Sequence, residues 1–185
     1  MPETPAAPGA PTAPAASEVT DGLMLHPGDG DRITIGGLRI EVKVSAKDAK
    51  LTSAFEVVVP PGFDVGAHRH DHGEELFYVL EGELDLLAFE PVSITGDNWR
   101  EWRSRDGRSV LRAGPGSMIF VPPGCPHAFA NPTDAEARML FLSFPAGHED
   151  YLRELSDLVN NQAAPEAVVA LRNRHGIEQL TTITA

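Results

Sequence analysis

The chain has 185 residues, of which 42% are hydrophobic, and its formal net charge is −12. A chain of this length and composition can bury one hydrophobic core but scarcely two, so we expect a single small domain. The negative charge argues against broad binding to nucleic acid or to anionic membrane surfaces, and no apolar run is long enough to cross a bilayer.

Residues 1–20 form a tail rich in proline and alanine, with Pro2, Pro5, Pro8, Pro11 and Pro14 at every third position. This period matches the polyproline II repeat and predicts an extended, solvated and disordered segment. A ligand for a proline-recognition domain is the alternative interpretation. The tail lacks the basic start and apolar core of a secretion signal, and Cys125 is the only cysteine, so we expect a cytoplasmic location.

Short runs rich in Val, Ile, Phe and Leu follow the tail. They cover residues 38–44, 55–59, 76–80, 84–89, 118–121 and 139–144. With Gly and Pro between many of them, the pattern is typical of an all-β protein. Some runs are apolar on both faces, as where Phe77 and Val79 alternate with Leu76, Tyr78 and Leu80, and they need a second cover. The candidates are C-terminal helices, N-terminal strands or a partner subunit.

A basic and aromatic insertion covers residues 97–112. It contains Trp99 and Trp102 among Arg100, Arg103, Arg105, Arg108 and Arg112. The pair Asp106-Gly107 predicts a hairpin turn. Such a hairpin could guard the mouth of a pocket and pair with an anionic or planar substrate, or it could be a solvated edge protected by charge. We favour the solvated edge.

The pattern changes to helix after residue 146. Acids in the first turn beside His148, followed by Leu152, Leu155 and Val159 at helical spacing, predict one helix. Residues 165–175 predict a second helix that ends before a glycine. The predicted organisation is therefore a tail at 1–20, a β domain at 21–146 and a helical segment at 147–185.

Two motifs carry the candidate chemistry. The first is Gly62-x5-His68-x-His70-x4-Glu75-x6-Gly82, and the second is Gly116-x5-Pro122-x-Gly124-x2-His127-x3-Asn131. Alternate side chains of a strand share a face, so His68 and His70 point together. A turn at residues 71–73 lets the next strand open with Glu75 opposite the histidines. His127 would complete the set from a more distant strand.

Three neutral imidazoles with one carboxylate suit one divalent transition metal ion, such as Fe, Mn, Ni, Co, Cu or Zn. Four protein ligands leave two positions of an octahedral ion open to substrate, water or dioxygen. Open positions are typical of a catalytic site rather than a closed structural one. Because burying these groups without a partner is costly, we expect metal binding.

Both motifs match the signature motifs of the cupin superfamily at every fixed position, so the chain resembles a cupin over roughly residues 22–146. The C-terminal part is similar to small single-barrel cupins of the quercetin dioxygenase-like group. The resemblance implies a double-stranded β-helix, a jelly-roll barrel, with short C-terminal α-helices and a homodimeric assembly. It also implies that His68, His70, Glu75 and His127 are the metal ligands.

Two nearby residues compete for ligand positions. The family tolerates three or four residues between the second histidine and the acid, which makes Glu74 a rival of Glu75. Only Glu75 lies seven residues before Gly82 and shares a strand face with Phe77, so we prefer Glu75. His72 continues the alternation of histidines, but shifting the pair changes the spacing to the acid. We therefore interpret His72 as an exposed turn residue.

The cupin barrel hosts many activities, so the resemblance does not name one. We predict a dioxygenase-type oxidoreductase whose small-molecule substrate is enolic, phenolic or flavonol-like. The flavonol-cleaving relatives imply that Glu75 is both a ligand and the catalytic base. Candidates for a dry pocket wall are Phe77, Val79, Met118, Phe120 and Phe129.

Two other functional classes stay open. The first is a redox-neutral isomerase or cyclase that uses the same ion as a Lewis acid. The second is a non-catalytic protein that binds a small molecule. A DNA-reading helix-turn-helix would need more helical sequence than the N-terminal tail offers, so no nucleic-acid partner is expected.

Overall fold

The computed structural model describes residues 21–94 and 96–181. The predicted disordered tail at residues 1–20 lies outside the described residues. Two antiparallel sheets and two α-helices make up most of the regular structure of the described part. None of its helices is long and apolar enough to span a membrane.

The sheets contain eleven strands within the described residues. These are β1 (Asp31–Ile35), β2 (Leu38–Val44), β3 (Ser53–Val59), β4 (His68–His70), β5 (Glu74–Glu81), β6 (Leu84–Ala88), β7 (Leu111–Ala113), β8 (Met118–Val121), β9 (His127–Ala130), β10 (Ala137–Phe144) and β11 (Ile177–Gln179). The first sheet has the order β1-β2-β3-β10-β5-β8 and the second has the order β11-β4-β9-β6-β7. The chain passes repeatedly from one sheet to the other, as in a jelly roll. The predicted all-β fold class is confirmed.

The hydrophobic core lies between the two sheets. In β3, Phe55, Val57 and Val59 are at most 2% exposed, whereas the residues between them are partly exposed. Phe77 of β5 and Phe141 of β10 stack across the first sheet with ring centroids 4.8 Å apart. Burying one such side chain stabilises the fold by roughly 1.5–3 kcal/mol. This alternation gives each long strand one dry face toward the core.

Strand β8 presents its large side chains to the outer face of the first sheet. Its register with β5 pairs Met118 with Tyr78 and Phe120 with Leu76. Met118 is 52% exposed and Phe120 is 48% exposed, so their prediction as pocket wall is wrong. In a run of apolar residues the sequence does not show which alternate side chains face the core. The pairing of β8 with β5 decides this, and it turns Ile119 inward.

Neither cover predicted within the chain shields that outer face fully. Tyr78 and Leu80 of β5 are each 38% exposed. The helices α1 (His148–Asn160) and α2 (Pro165–Arg174) contribute instead to the core on the inner side. A partner subunit as the cover therefore stays a prediction.

The insertion at residues 97–112 covers the second sheet. Trp99 and Trp102 are 1% and 2% exposed and pack against alanines and large apolar residues of β6 and β9. The Trp99 indole N–H donates to Asp64 at 3.0 Å, and Arg100 contacts both Asp64 at 2.9 Å and Asp85 at 3.1 Å. No described residue of the insertion lines the main cavity, which argues against a guard of the pocket. Its exposed arginines and the edge strand β7, which begins within it, agree with the solvated edge, and its buried tryptophans make it a structural cover as well.

Both predicted helices are present, and the segment that follows them contains a strand that the sequence analysis missed. Glu149, 2% exposed, accepts hydrogen bonds from the Ala46 N–H at 2.7 Å and the Ser53 hydroxyl at 2.6 Å. These bonds hold the start of α1 against the first sheet. After α2, strand β11 pairs with β4. Three residues are too few to show a strand period, so β11 depends on this pairing.

Candidate metal centre

Three of the four predicted ligands converge where the two sheets face each other. His70 lies on β4, Glu75 on β5 and His127 on β9, and each offers a ligand atom within 4.8 Å of the others. They are 8%, 4% and 1% exposed. Pairing of β4 with β9 places His68 directly opposite His127. His127 therefore shares one buried site with His70 and Glu75, although it follows them by more than fifty positions in the sequence.

Backbone carbonyls orient all three histidine rings in the same way. The Nδ1 atoms lie 2.9 Å from the Gly66 oxygen for His68, 3.0 Å from the His72 oxygen for His70, and 3.0 Å from the Cys125 oxygen for His127. A carbonyl can only accept, so each Nδ1 carries the hydrogen. In a neutral ring Nε2 is then a free lone pair, which is the form that binds metals.

The Nε2 atoms of His70 and His127 are buried and lack a hydrogen-bond partner of normal geometry within the described residues. They lie 3.4 Å and 3.1 Å from the two carboxylate oxygens of Glu75. Lone pairs of neutral rings that face a carboxylate repel it unless a proton or a cation lies between them. The donor set therefore fits a divalent metal ion.

The electrostatics of the site favour an ionised carboxylate. Burial raises the pKa of Glu75, but the close approach of the His127 and His70 rings outweighs this effect and holds that pKa well below its usual range. Burial likewise opposes charge on His70, yet Glu75 raises the pKa of His70 overall. A metal ion has to displace the proton that this pair favours, so metal binding should strengthen as the pH rises.

His68 lies beside this group rather than within it. Its ring centroid is 4.2 Å from that of His127, but its nitrogens do not fall inside the 4.8 Å cluster. Burial, followed by the nearby charges of His127 and Arg172, holds the pKa of His68 well below its usual range. His68 is thus neutral and correctly oriented, and its role as a ligand stays a prediction.

The two rival residues lie outside the cluster. Glu74 is exposed, because β5 turns it to the face opposite Glu75. His72 is exposed in the turn between β4 and β5, where its carbonyl oxygen orients the His70 ring.

Gly73 in the same turn has a φ of 86°, and a Cβ there would lie 2.6 Å from the Phe144 oxygen. Glycine thus allows the turn that brings His70 and Glu75 together.

A cavity of about 780 Å³ adjoins the cluster. His68, His70 and Glu75 line it together with Phe77 and Phe129. Val79 is fully buried in the core and is not among the lining residues, so of the predicted wall only Phe77 and Phe129 contact the cavity. The helices add further apolar residues, namely Leu152, Leu155, Val159 and Val168. The volume suits a small organic ligand.

The sequence analysis missed the polar residues that the helices α1 and α2 contribute to the cavity wall. His148 and Tyr151 come from α1, and Arg172 comes from α2. A signal for the first two was present, since positions 148, 151, 152 and 155 share one face of a helix. Arg172 carried no such signal, because basic residues in the last turn of a helix are usually explained by the helix dipole.

Two facing antiparallel sheets with a buried His-Glu-His cluster beside a ligand-sized cavity are the arrangement of a cupin. The family model described as Cupin matches residues 41–169, which is more than half of the chain, and the chain belongs to this family.

Known relatives have several different activities. The chain is 24% identical to quercetin 2,3-dioxygenase of Bacillus subtilis over 163 residues, covering 84% of this chain and 42% of that protein. It is 35% identical to the polyketide synthase CurC of Streptomyces cyaneus over 92 residues, covering 49% of this chain and 48% of that protein. The chain thus spans about half the length of these curated relatives.

Among solved structures, the polyketide cyclase RemF of Streptomyces resistomycificus is similar, with 23% identity and a TM-score of 0.49. The match covers 66% of this chain and 78% of RemF.

Proposed function

We propose that the protein is a metal-dependent cupin enzyme, a dioxygenase-type oxidoreductase that acts on a small enolic, phenolic or flavonol-like compound. The observation that carries the proposal is the convergence of His70, Glu75 and His127 beside a ligand-sized cavity. The similarity to quercetin 2,3-dioxygenase, which extends over 84% of this chain, supports the choice of chemistry.

In this proposal His68, His70, Glu75 and His127 hold one divalent transition ion of Fe, Mn, Ni, Co, Cu or Zn. The ion would supply Lewis acidity toward adjacent substrate oxygens and, if redox-active, access to oxygen chemistry. The histidines offer Nε2 lone pairs because carbonyl oxygens hold their Nδ1 hydrogens. His68 is included because it lines the same cavity with the same ring orientation.

Glu75 is proposed as the catalytic base. Its carboxylate lines the cavity, so it is placed to accept the hydroxyl proton of an enol or phenol whose acidity a bound metal ion would increase. Loss of that proton makes the substrate oxygen a stronger donor. Phe77 and Phe129, whose ring centroids are 5.8 Å apart, give the cavity an aromatic wall that keeps water from the reacting oxygens.

The second candidate is a redox-neutral isomerase or cyclase. It stays a candidate because CurC, a relative that is 35% identical over 92 residues, is a polyketide synthase and not a dioxygenase by name. Glu75 would then move a proton within the substrate without any need for oxygen. A requirement for dioxygen separates this candidate from the first, and binding without turnover would indicate a non-catalytic small-molecule-binding protein.

Elemental analysis of the purified protein tests the metal centre. We expect close to one transition ion per chain in the wild type and in the exposed-residue control His72→Ala, and loss of the ion in His70→Ala. Chelation should lower the melting temperature by several degrees, since an ion at ~100 times its Kd contributes about 2.7 kcal/mol. A wild type that stays metal-free after reconstitution with each candidate ion contradicts the proposal.

Oxygen consumption by the metal-loaded protein tests the reaction. The panel contains enols, catechols and flavonols, each assayed with and without dioxygen. Substrate loss coupled to oxygen uptake supports a dioxygenase. Substrate loss under nitrogen supports the isomerase or cyclase, and no loss under either gas leaves a binding protein.

We also propose that the chain forms a homodimer through the outer face of β10, β5 and β8. The registers align Leu140, Tyr78 and Met118 in one row, and Leu142, Leu76 and Phe120 in the next. These rows run across three adjacent strands to the edge strand β8. A contiguous apolar surface of this kind is typical of an interface between subunits.

A further inference from the structure

We propose that Arg172 forms an anion subsite in the cavity wall, and that the substrate carries a carboxylate or a comparable anionic group in addition to its chelating oxygens. This inference rests on the proposed function, because it assigns the second half of the same substrate. It goes beyond that function because it states the charge of the portion of the substrate that does not contact the metal.

Arg172 is a buried cation that lines the cavity. It lies near the end of α2 and is 5% exposed. Its guanidinium donates to the side-chain oxygen of Gln179 and, at 3.4 Å, to the backbone oxygen of Val65. Gln179 lies on β11 directly opposite His68 of β4. The guanidinium is therefore held beside the strand that carries two of the proposed ligands.

Gln179 is itself fixed in the orientation that Arg172 requires. Its side-chain N–H groups donate to the backbone oxygens of Ala67 at 3.2 Å and Thr181 at 2.8 Å. The amide oxygen is consequently turned toward Arg172. An arginine held in this way loses little conformational freedom on binding a ligand, so the cation is positioned in advance.

Arg172 has no carboxylate within 4.0 Å in the part of the chain that the structure describes. The partly exposed Arg100 and Arg138, in contrast, each contact two carboxylates. The Nε atom of Arg172 is also buried without an acceptor among those residues. A buried charge without a counter-charge destabilises a protein, and proteins usually pair such a charge. The missing counter-charge is what an anionic ligand would provide.

Tyr151 connects this cation with the proposed metal site. Burial raises the pKa of the Tyr151 phenol most, while the charge of Arg172 lowers it and the charge of Glu75 raises it. The phenol is thus within electrostatic reach of both groups, and it lines the same cavity. Glu75, Tyr151 and Arg172 line one cavity, so the proposed ligand occupies that cavity with its chelating oxygens near Glu75 and its second anionic group near Arg172.

The charges of the site favour such a ligand. The cavity wall also contains Asp64, but Arg100 pairs with that carboxylate. A divalent ion and Arg172 would therefore outweigh the remaining negative charge, that of Glu75. A substrate with an ionised chelating oxygen and a second anionic group would neutralise the excess. A neutral substrate would leave the guanidinium without a counter-charge and would gain no charge-assisted hydrogen bond from it.

Matched catechols test the subsite. The probes are 3,4-dihydroxybenzoate and 3,4-dihydroxyphenylacetate, each compared with its carboxamide, titrated calorimetrically under nitrogen into protein loaded with Co(II). Acid and amide share the chelating oxygens and differ in the charge of one substituent. We expect the wild type to bind at least one acid roughly tenfold or more tightly than its amide, as befits a charge-assisted hydrogen bond.

The variants locate the source of that preference. Arg172→Met should remove it while leaving amide affinity within about threefold, and Arg172→Lys should retain part of it, because lysine keeps the charge but not the planar fork. Arg174→Met is the matched control, since Arg174 is exposed on the same helix, and it should keep the preference. The lysine variant and the wild-type comparison also decide the matter if Arg172→Met does not fold.

Two results overturn the subsite. One is a wild type with no preference for either acid, and the other is a preference that survives in Arg172→Met or is lost in Arg174→Met. In both cases amide binding that changes the Co(II) absorption spectrum leaves the proposed chelating function intact. If no catechol changes that spectrum, the chelating function fails together with the subsite.

Discussion

Glu74 and Glu75 are adjacent residues with the same side chain and different surroundings. Strand alternation turns Glu75 inward, where it is 4% exposed and faces two histidines, and turns Glu74 to solvent. Burial strengthens the interaction of a carboxylate with a cation, because water no longer screens the charge. The same functional group can thus act as a ligand at one position and only as a solvated charge at the next.

This contrast gives a matched pair of variants. Glu75→Gln keeps the shape but removes the charge and the base, so we expect metal affinity to fall by about tenfold or more and turnover by ~10²–10⁴. Glu74→Gln should leave both quantities unchanged. Metal titration and steady-state kinetics of the two variants provide the measurement, and equal effects in both would argue against the assigned register.

His148 predicts the response of stability to acid. Burial, outweighing the nearby charge of Glu75, lowers the pKa of His148 from its usual 6.5. The unfolded chain takes up a proton below about pH 6.5 while folded His148 resists it, so the stability that neutral His148 contributes is present above that pH and is lost as the pH falls. His70, whose pKa is raised, acts in the opposite direction.

The contribution of His148 is therefore measured as a difference between variants. We expect His148→Gln to reduce the loss of unfolding free energy between pH 7 and pH 5 by up to about 1.4 kcal/mol per pH unit. Urea unfolding in the presence of a chelator gives the values. His26→Gln, at an exposed position, is the control and should retain the wild-type slope.

At the scale of elements, the insertion at residues 97–112 stabilises the second sheet from outside. Its tryptophans fill an apolar cluster distinct from the main core, and Arg100 joins Asp64 to Asp85 of β6. The sequence analysis left open a guard at the mouth of a pocket and favoured a solvated edge protected by charge. In the structure the insertion also forms a buried cover, since both tryptophans are buried and the Trp99 N–H donates to Asp64.

Trp99→Phe tests this role. The variant keeps an aromatic ring but loses the N–H that donates to Asp64, so we expect the free energy of unfolding to fall by ~1–3 kcal/mol. Arg105→Ala, at an exposed position, should stay within about 0.5 kcal/mol of wild type. Denaturant unfolding gives both values. A change of ligand affinity in either variant would mean that the insertion acts on the cavity after all.

At the scale of the whole molecule, the exposed apolar side chains on the outer face of β10, β5 and β8 form the proposed dimer interface. Phe120→Asp places a charge in the proposed interface, and we expect it to convert a dimer into a monomer in light-scattering chromatography. Val92→Asp is the control, because Val92 is 68% exposed but lies outside these strands. A wild type that is monomeric at micromolar concentration contradicts the dimer.

Much of the site was predictable from local sequence. The spacing of His68, His70 and Glu75 depends on strand alternation and one tight turn, both of which are local properties. Met118 and Phe120 were misassigned because an apolar run does not reveal which phase faces inward. Only hydrogen bonding to β5 decides that phase.

The sequence by itself determined the fold class, the family motifs and the kinds of donor atom that the site offers. These properties depend on side-chain chemistry and on periodicity among residues that are close in the chain. The tertiary structure alone decided which of these donors meet, which covers the sheets have, and that Arg172 shares a cavity with Glu75. These facts depend on packing between elements far apart in the chain, and no local pattern records them.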